Sequence, residues 1–247
     1  MFKKIGEGIG YYKGSLRLIN ELSLWKFFLI PILICFLFAI LVVYAAYGLS
    51  DNVSEYLMQS WTWSWGRETM HAIFNVLGFV IIVIAGFMIY KRVVMAFSAP
   101  FMAPISEKIE EHLTGKKIPT EASFLQLLVR GIKINLRNLI LELLWTFLLF
   151  FVGWIPIIGL LTTPILFLMQ AYFSGFGNMD YTLERHMNYS QSIDFVKRNR
   201  GLAIGNGIIF ALLLLIPVVG FILVLPLSVT AATKQTVEAL EDQKKMA

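Results

Sequence analysis

The sequence predicts an all-α integral membrane protein with two long transmembrane helices, two Pro/Gly-tipped helical hairpins that penetrate partway, and cytoplasmic amphipathic helices. Three observations carry this expectation. Of 247 residues, 57% are hydrophobic and only 15% charged, with a mean hydropathy of +0.71. A water-soluble chain carries about 25% charged residues, so lipid must cover what polar side chains here cannot. Two uncharged runs are long enough to cross a bilayer, whereas the later apolar runs are short and end in Pro-x-x-Gly.

The two spanning helices are expected over 27–49 and 70–92. Phe27 to Leu49 contains no charge, and at 1.5 Å per residue it reaches roughly 35 Å, against a hydrocarbon core of about 30 Å. Pro31 falls in its first turns, where a missing amide matters little. Ala72 to Tyr90 forms the second run, with Lys91 and Arg92 as the expected anchors of its end. Trp61, Trp63 and Trp65 alternate in the loop between the two, as in an interfacial aromatic belt.

Re-entrant hairpins are expected over 139–177 and 203–233. Leu139–Val152 and Ala203–Ile216 are uncharged except for Glu142, and each is 14 residues long, about 21 Å as helix and short of the core. Each is followed by a matching break, Ile155-Pro156-Ile157-Ile158-Gly159 and Ile216-Pro217-Val218-Val219-Gly220, with a further proline at Pro164 and Pro226. Proline removes a helix donor and glycine permits a reversed backbone, so Pro156, Gly159, Pro217 and Gly220 mark hairpin tips. Irregular backbone at membrane depth must be buried in protein or face a wet cavity, which points to partner subunits, a pore, or both.

Residues 98–138 read as cytoplasmic or interfacial helices. Ser106–Leu113 is a short polar helix, and Thr120 is the expected cap of a second. In that second helix Phe124, Leu125, Leu128, Ile132 and Leu136 share one face, and Arg130, Lys133 and Arg137 share another. Such a basic amphipathic helix suits a membrane surface, and its three cations could attract anions to a vestibule. Gly6, Gly10 and Gly14 recur every fourth residue, as do Gly201 and Gly205, spacing that favours close helix packing.

Orientation follows from charge. Of 21 Lys and Arg residues, only Arg67 lies in the Ser50–Thr69 loop, so both termini, the 91–138 segment and the 178–202 loop belong to the cytoplasm. The net charge of +5 is explained by this flanking pattern and does not call for nucleic acid. No catalytic constellation is present, so the chain reads as a non-enzyme without a cofactor. Cys35 stands alone, and His71, His112 and His186 lack a second ligand at helical spacing, which argues against a metal site. Glu142 is either a functional intramembrane charge or the partner of Arg137 or Lys133.

Several blocks resemble a known family: Ser98-Ala99-Pro100-Phe101, then Pro104, Glu107, Glu110-Glu111 and Leu113-Thr114-Gly115, then both Ile-Pro-x-x-Gly breaks, Ala171-Tyr172 and Asp180-Tyr181. Together they are similar to the CysZ-type sulfate permeases, which share a domain with etoposide-induced membrane proteins. The resemblance covers nearly the whole chain. It implies an inner-membrane oligomer, with two spanning helices and two half-penetrating hairpins, that admits sulfate for cysteine synthesis. In that family a Gly-Leu/Ile-Arg-Arg turn before the first long helix binds sulfate. The corresponding stretch here is Ser23-Leu24-Trp25-Lys26, which lacks the glycine and the first arginine, and the family's late Asp-Tyr-Pro is Asp180-Tyr181-Thr182.

Two functions stand beside each other at this point. One is a passive permease or channel for sulfate or a similar oxyanion. The other is a non-transporting membrane organiser whose hairpins deform a leaflet or dock partners. The chain is expected to act as a homo-oligomeric, single membrane domain over 1–247.

Overall fold

The computed structural model describes residues 1–62, 66–155, 158–216 and 219–246, apart from the side chains at 87–88, 219–221 and 246. Pro156 and Pro217, two of the four expected hairpin-tip residues, lie outside the described residues, as do Trp63 and Trp65. The described residues form α1 (Phe2–Gly10), α2 (Ser15–Glu21), α3 (Trp25–Met58), α4 (Arg67–Thr114), α5 (Phe124–Val152), α6 (Gly159–Leu183), α7 (Tyr189–Arg198), α8 (Arg200–Leu214) and α9 (Val219–Met246), with no strand among them. Backbone contacts divide the chain into two compact units, Leu33–Val94 on one hand and Met1–Ile32 with Met95–Ala247 on the other.

Four helices, α3 to α6, are long and apolar enough to cross a membrane, and the chain is a multi-pass membrane protein. The helices outrun the apolar runs that revealed them, because hydropathy marks lipid-facing length whereas backbone hydrogen bonding continues through polar residues. Thus α4 does not end at Lys91-Arg92. It continues to Thr114, absorbing the separate polar helix expected over 106–113. Likewise the amphipathic helix and the first 14-residue arm are one 29-residue helix, α5. Arm length therefore does not by itself hold the first hairpin to half depth.

The start of α5 also departs from expectation. Its cap is Ser123, which forms a reciprocal capping box with Gln126. Thr120 instead turns away to α4, where its amide and hydroxyl both donate to Glu107 Oε2 at 3.1 Å.

In the unit Leu33–Val94, the C-terminal part of α3 and the N-terminal part of α4 pair side by side. Gly78 lies against the Ser50 carbonyl and Val53, and Gly86 against Val42. Ser54 donates to the His71 carbonyl, Asn75 bonds Asp51, and Tyr47 meets Phe79 edge-on. Most of the large apolar side chains face outward, Leu37, Ile40, Leu41, Tyr44, Ile81 and Ile84 among them, as lipid-facing side chains should.

The larger unit is built on close crossings between α6 and α8 and between α1 and α8. A Cβ on Gly175 would overlap the Ala203 carbonyl, and one on Gly207 would overlap the Ala171 carbonyl. The same Ala-x-x-x-Gly step therefore serves both helices of the crossing. Gly8 sits 2.7 Å, measured from an added Cβ, from the Leu202 carbonyl, while Gly201 and Gly205 abut α1. Packing thus uses Gly201 and Gly205 as expected, but Gly8 in place of Gly6, Gly10 and Gly14. Gly6 and Gly10 face open space, and Gly14 supplies a turn at φ +78°. Asn178 and Asn206 hydrogen-bond at 2.8 Å across the crossing, and Tyr12 donates to Ser228 at 2.7 Å.

Candidate anion site

The stretch Ser23-Leu24-Trp25-Lys26 forms the turn between α2 and α3. It is a Schellman closure: the Leu24 amide donates to the Ile19 carbonyl at 3.0 Å and the Ser23 amide to the Asn20 carbonyl at 3.1 Å. Such a turn needs one left-handed residue, and that residue is Ser23 at φ +51°, the one described non-glycine residue with positive φ. Ser23 therefore holds the backbone shape that the missing glycine would supply. Leu24 is fully buried and packs with Leu18 and Ile19, which fixes the turn to the core.

The other two residues face outward. Trp25 folds back on α2, its indole N–H donating to Asn20 Oδ1 at 2.6 Å, so it occupies the place of the first arginine without bringing a charge. Lys26 is exposed, with its ammonium 5.4 Å from the Phe27 ring centre. The same ring is approached at 4.8 Å by the ammonium of Lys108 on α4. Two cations thus share one aromatic ring beside the first turn of α3, which carries the positive end of the helix dipole, although the Phe27 amide of that turn is already engaged by the Leu24 carbonyl at 3.0 Å. Sequence reasoning misses Lys108, because nothing in its local pattern marks it. Only the run-on of α4 past residue 92 brings it to the turn.

The three basic residues of α5 have different fates. Arg130 is largely buried and fully engaged: its Nε and Nη2 hold Asp180 at 3.0 and 2.9 Å, Nη2 also donates to Ser192, and Nη1 donates to the Met187 carbonyl. Arg137 is half-buried, 5.6 Å from the Phe176 ring centre and bonded to Asn138. Lys133 is exposed and lines a shallow cleft with Leu125, Val129 and Tyr189. The structure records no contact between these three and the Ser23–Lys26 turn. Glu142 is buried in α5 at 7% exposure. Gly159 opens α6, where its absent Cβ lets it meet the Gly153 carbonyl, and Gly220 lies in the first turn of α9.

A second charged cluster lies beside Asp180. Arg185 donates twice to Glu110 Oε2, at 2.7 and 3.2 Å, and His186 Nε2 stands 2.7 Å from Glu110 Oε1. Arg185 Nη1 also donates to Ser106 Oγ at 2.6 Å, and Ser106 Oγ bonds the Tyr181 carbonyl. Tyr181 is buried, its hydroxyl donating to the Met95 carbonyl at 2.6 Å. Thr182, which stands where the resembled family has proline, lies at the end of α6 and bonds Thr233 of α9. Glu184 is enclosed beside this cluster, with Oε1 lacking a hydrogen-bond partner. Burial, reinforced by Asp180, raises its carboxyl well above the ordinary range, against the opposing pull of Arg130 and Arg185.

The arrangement defines a polytopic α-helical membrane protein with a paired-lysine turn at the head of its first long helix and a buried ion-pair core behind it. The chain belongs to the family described as "Sulfate transporter CysZ/Etoposide-induced protein 2.4", whose model matches residues 11–224. It is 27% identical over 231 residues to the sulfate transporter CysZ of Pseudomonas aeruginosa, covering 92% of both chains. It is 25% identical over 242 residues to the protein of that name from Vibrio cholerae, covering 96% of this chain and 95% of that one. Over 151 residues, 60% of this chain and 61% of the other, it is 29% identical to the protein of that name from Vibrio parahaemolyticus.

Proposed function

We propose that the protein is a sulfate permease of the bacterial inner membrane, passing sulfate or a similar oxyanion passively, without nucleotide or metal. The observation that carries this reading is the head of α3. Ser23 retains the left-handed turn, and Lys26 and Lys108 converge on Phe27, offering two cations where the family's turn offers two arginines. Lysine lacks the fork that grips an oxyanion bidentately, so binding here is weaker, as conduction tolerates.

The charge distribution supports both termini in the cytoplasm, which puts the α3 turn at that face. The exposed apolar tip of the first hairpin supports partial penetration. Trp145, Phe147, Phe150, Phe151 and Trp154 are all exposed, while Arg137 and the buried Glu142 hold the base to the polar side. From Arg137 to the tip the helix reaches only about 22 Å, short of the core. Partial penetration, together with the Pro-x-x-Gly breaks in the sequence, favours homo-oligomers in which copies cover one another and enclose a hydrated route. Lys133 is the cation of α5 best exposed to draw anions toward it. Arg130 acts as a structural ion pair.

The test is uptake of radiolabelled sulfate into proteoliposomes. Sulfate flux should exceed that of empty vesicles. Lys26→Ala and Lys108→Ala should each lower it about 2- to 5-fold, the range of an exposed ionic contact worth about 0.5–1 kcal/mol. No flux above empty vesicles, with tubulation of the vesicles instead, would replace the permease reading with that of a membrane organiser.

A further inference from the structure

A cleft of about 370 Å³ opens between α1, the end of α7, the start of α8 and the last turns of α9. It is separate from the α3 turn, and the permease reading makes no use of it. Lys4, Glu7 and Tyr11 line it from one face of α1, Gln235, Glu238 and Asp242 from one face of α9, and Arg198 and Asn199 from the end of α7. The rim is charged and exposed, and the floor is not. Gln235 is fully buried, yet neither its carboxamide nitrogen nor its oxygen has a hydrogen-bond partner. A buried amide left unpaired is costly, so a floor with a carboxamide nitrogen and its oxygen both unmet is built for something polar.

We propose that this cleft binds a free α-amino acid in its zwitterionic form. The lining carries charge of both signs, two cations in Lys4 and Arg198 and three carboxylates in Glu7, Glu238 and Asp242. A simple anion would meet the three carboxylates, and a polyamine would meet the two cations. A zwitterion satisfies both, with its ammonium toward Glu238 and Asp242 and its carboxylate toward Lys4 and Arg198. Tyr11 lines the cleft with Glu238, and burial, reinforced by this carboxylate, pushes its hydroxyl titration upward. Lys4 is held toward the cleft by Asn199, to which it donates at 3.3 Å. The Gln235 amide can donate to the carboxylate while its oxygen accepts from the ammonium or from a bridging water. The volume lies at the small end of ligand pockets, leaving room for a few waters at about 30 Å³ each. A bound ligand would bridge α1 to α9 and so tighten the α1 seat on Gly201 and Gly205.

The experiment is thermal unfolding and calorimetry of the full chain in detergent, with each of the twenty common L-amino acids as probe. At least one should raise the unfolding temperature saturably, as expected of a ligand that binds the folded state alone. Its methyl ester and its N-acetyl derivative should each bind about 10-fold more weakly, because each derivative neutralises one of the two ligand charges. Gln235→Leu should weaken binding by a similar factor. Asp242→Asn, at the exposed rim, gives the same test without touching the core. The proposal fails if no amino acid shifts the transition, if spermidine or sulfate binds as well as the best amino acid, or if both variants bind like the parent. Sulfate flux is measured separately, so loss of this site and loss of the permease reading are distinguishable.

Discussion

Replacing Ser23 by glycine should stabilise the protein, and its magnitude can be worked from the turn. Ser23 sits at φ +51°, where an L-residue is disfavoured by about 1–2 kcal/mol. Glycine removes that strain but brings a more flexible unfolded chain, an opposing term of about 0.5–1 kcal/mol. Ser23 is exposed, so its side chain gives up little packing. The net gain is then about 0.5–1 kcal/mol. For a chain of this length that raises the midpoint by about 1–4 °C, readable by scanning tryptophan fluorescence in detergent. Ser23→Val should move the midpoint down by more, since a β-branched side chain fits the left-handed region worse still. An unchanged or lowered midpoint for Ser23→Gly would mean that the hydroxyl contributes as much as the strain removes. The idea that Ser23 stands in for the family's glycine through backbone shape alone would then be refuted.

Three further outcomes follow from packing and charge. Gly175→Ala should destabilise by about 1–3 kcal/mol or abolish folding, because its Cβ meets the Ala203 backbone. Gly6→Ala, which meets nothing within 4 Å, should be neutral or stabilising by up to about 1 kcal/mol; comparing their unfolding midpoints tests the crossing. Asp180→Asn should destabilise by about 3–5 kcal/mol through the stranded Arg130 charge, whereas an Arg130→Met/Asp180→Leu pair should recover much of that in the same assay. Glu184 has its folded-state pKa raised, so the folded chain holds a proton that the unfolded chain releases first. Its penalty is absent below the ordinary carboxylate range and grows as pH rises through that range toward the raised value. Glu184→Gln should therefore raise the midpoint at pH 8 and leave it nearly unchanged at pH 4, and equal shifts at both would assign the effect to packing instead.

Much of the architecture was legible because lipid imposes a one-dimensional rule: uncharged runs of sufficient length become helices. That rule reads where a helix faces lipid, and says nothing of where hydrogen bonding stops. It is why 27–49 became Trp25–Met58 and why 70–92 became Arg67–Thr114. The ion-pair core was illegible for a different reason. Glu110 and Arg185 are 75 residues apart, and His186 looked isolated because its partner sits on another helix. Glycine spacing was half-informative: a four-residue step at Gly201 and Gly205 met a partner helix, while the same step at Gly6 and Gly10 faced outward, since periodicity names a face without naming its neighbour.

The candidate anion site shows the same division more sharply. A motif locates the turn but judges it by residue identity, and by identity Ser23-Leu24-Trp25-Lys26 keeps only part of the pattern. What an oxyanion would meet, however, is backbone shape and local potential. The left-handed φ is present at Ser23, and Lys108 of α4 brings a second cation to the Phe27 ring beside the uncharged Trp25. A cation supplied from so far along the chain cannot be read from a four-residue motif. If Lys108 does replace the missing arginine, Lys108→Ala should affect sulfate flux as strongly as Lys26→Ala, and Trp25→Arg should make Lys108 dispensable. An additive loss in the Trp25→Arg/Lys108→Ala pair, with no rescue, would separate Lys108 from the anion and leave Lys26 as the turn's own cation.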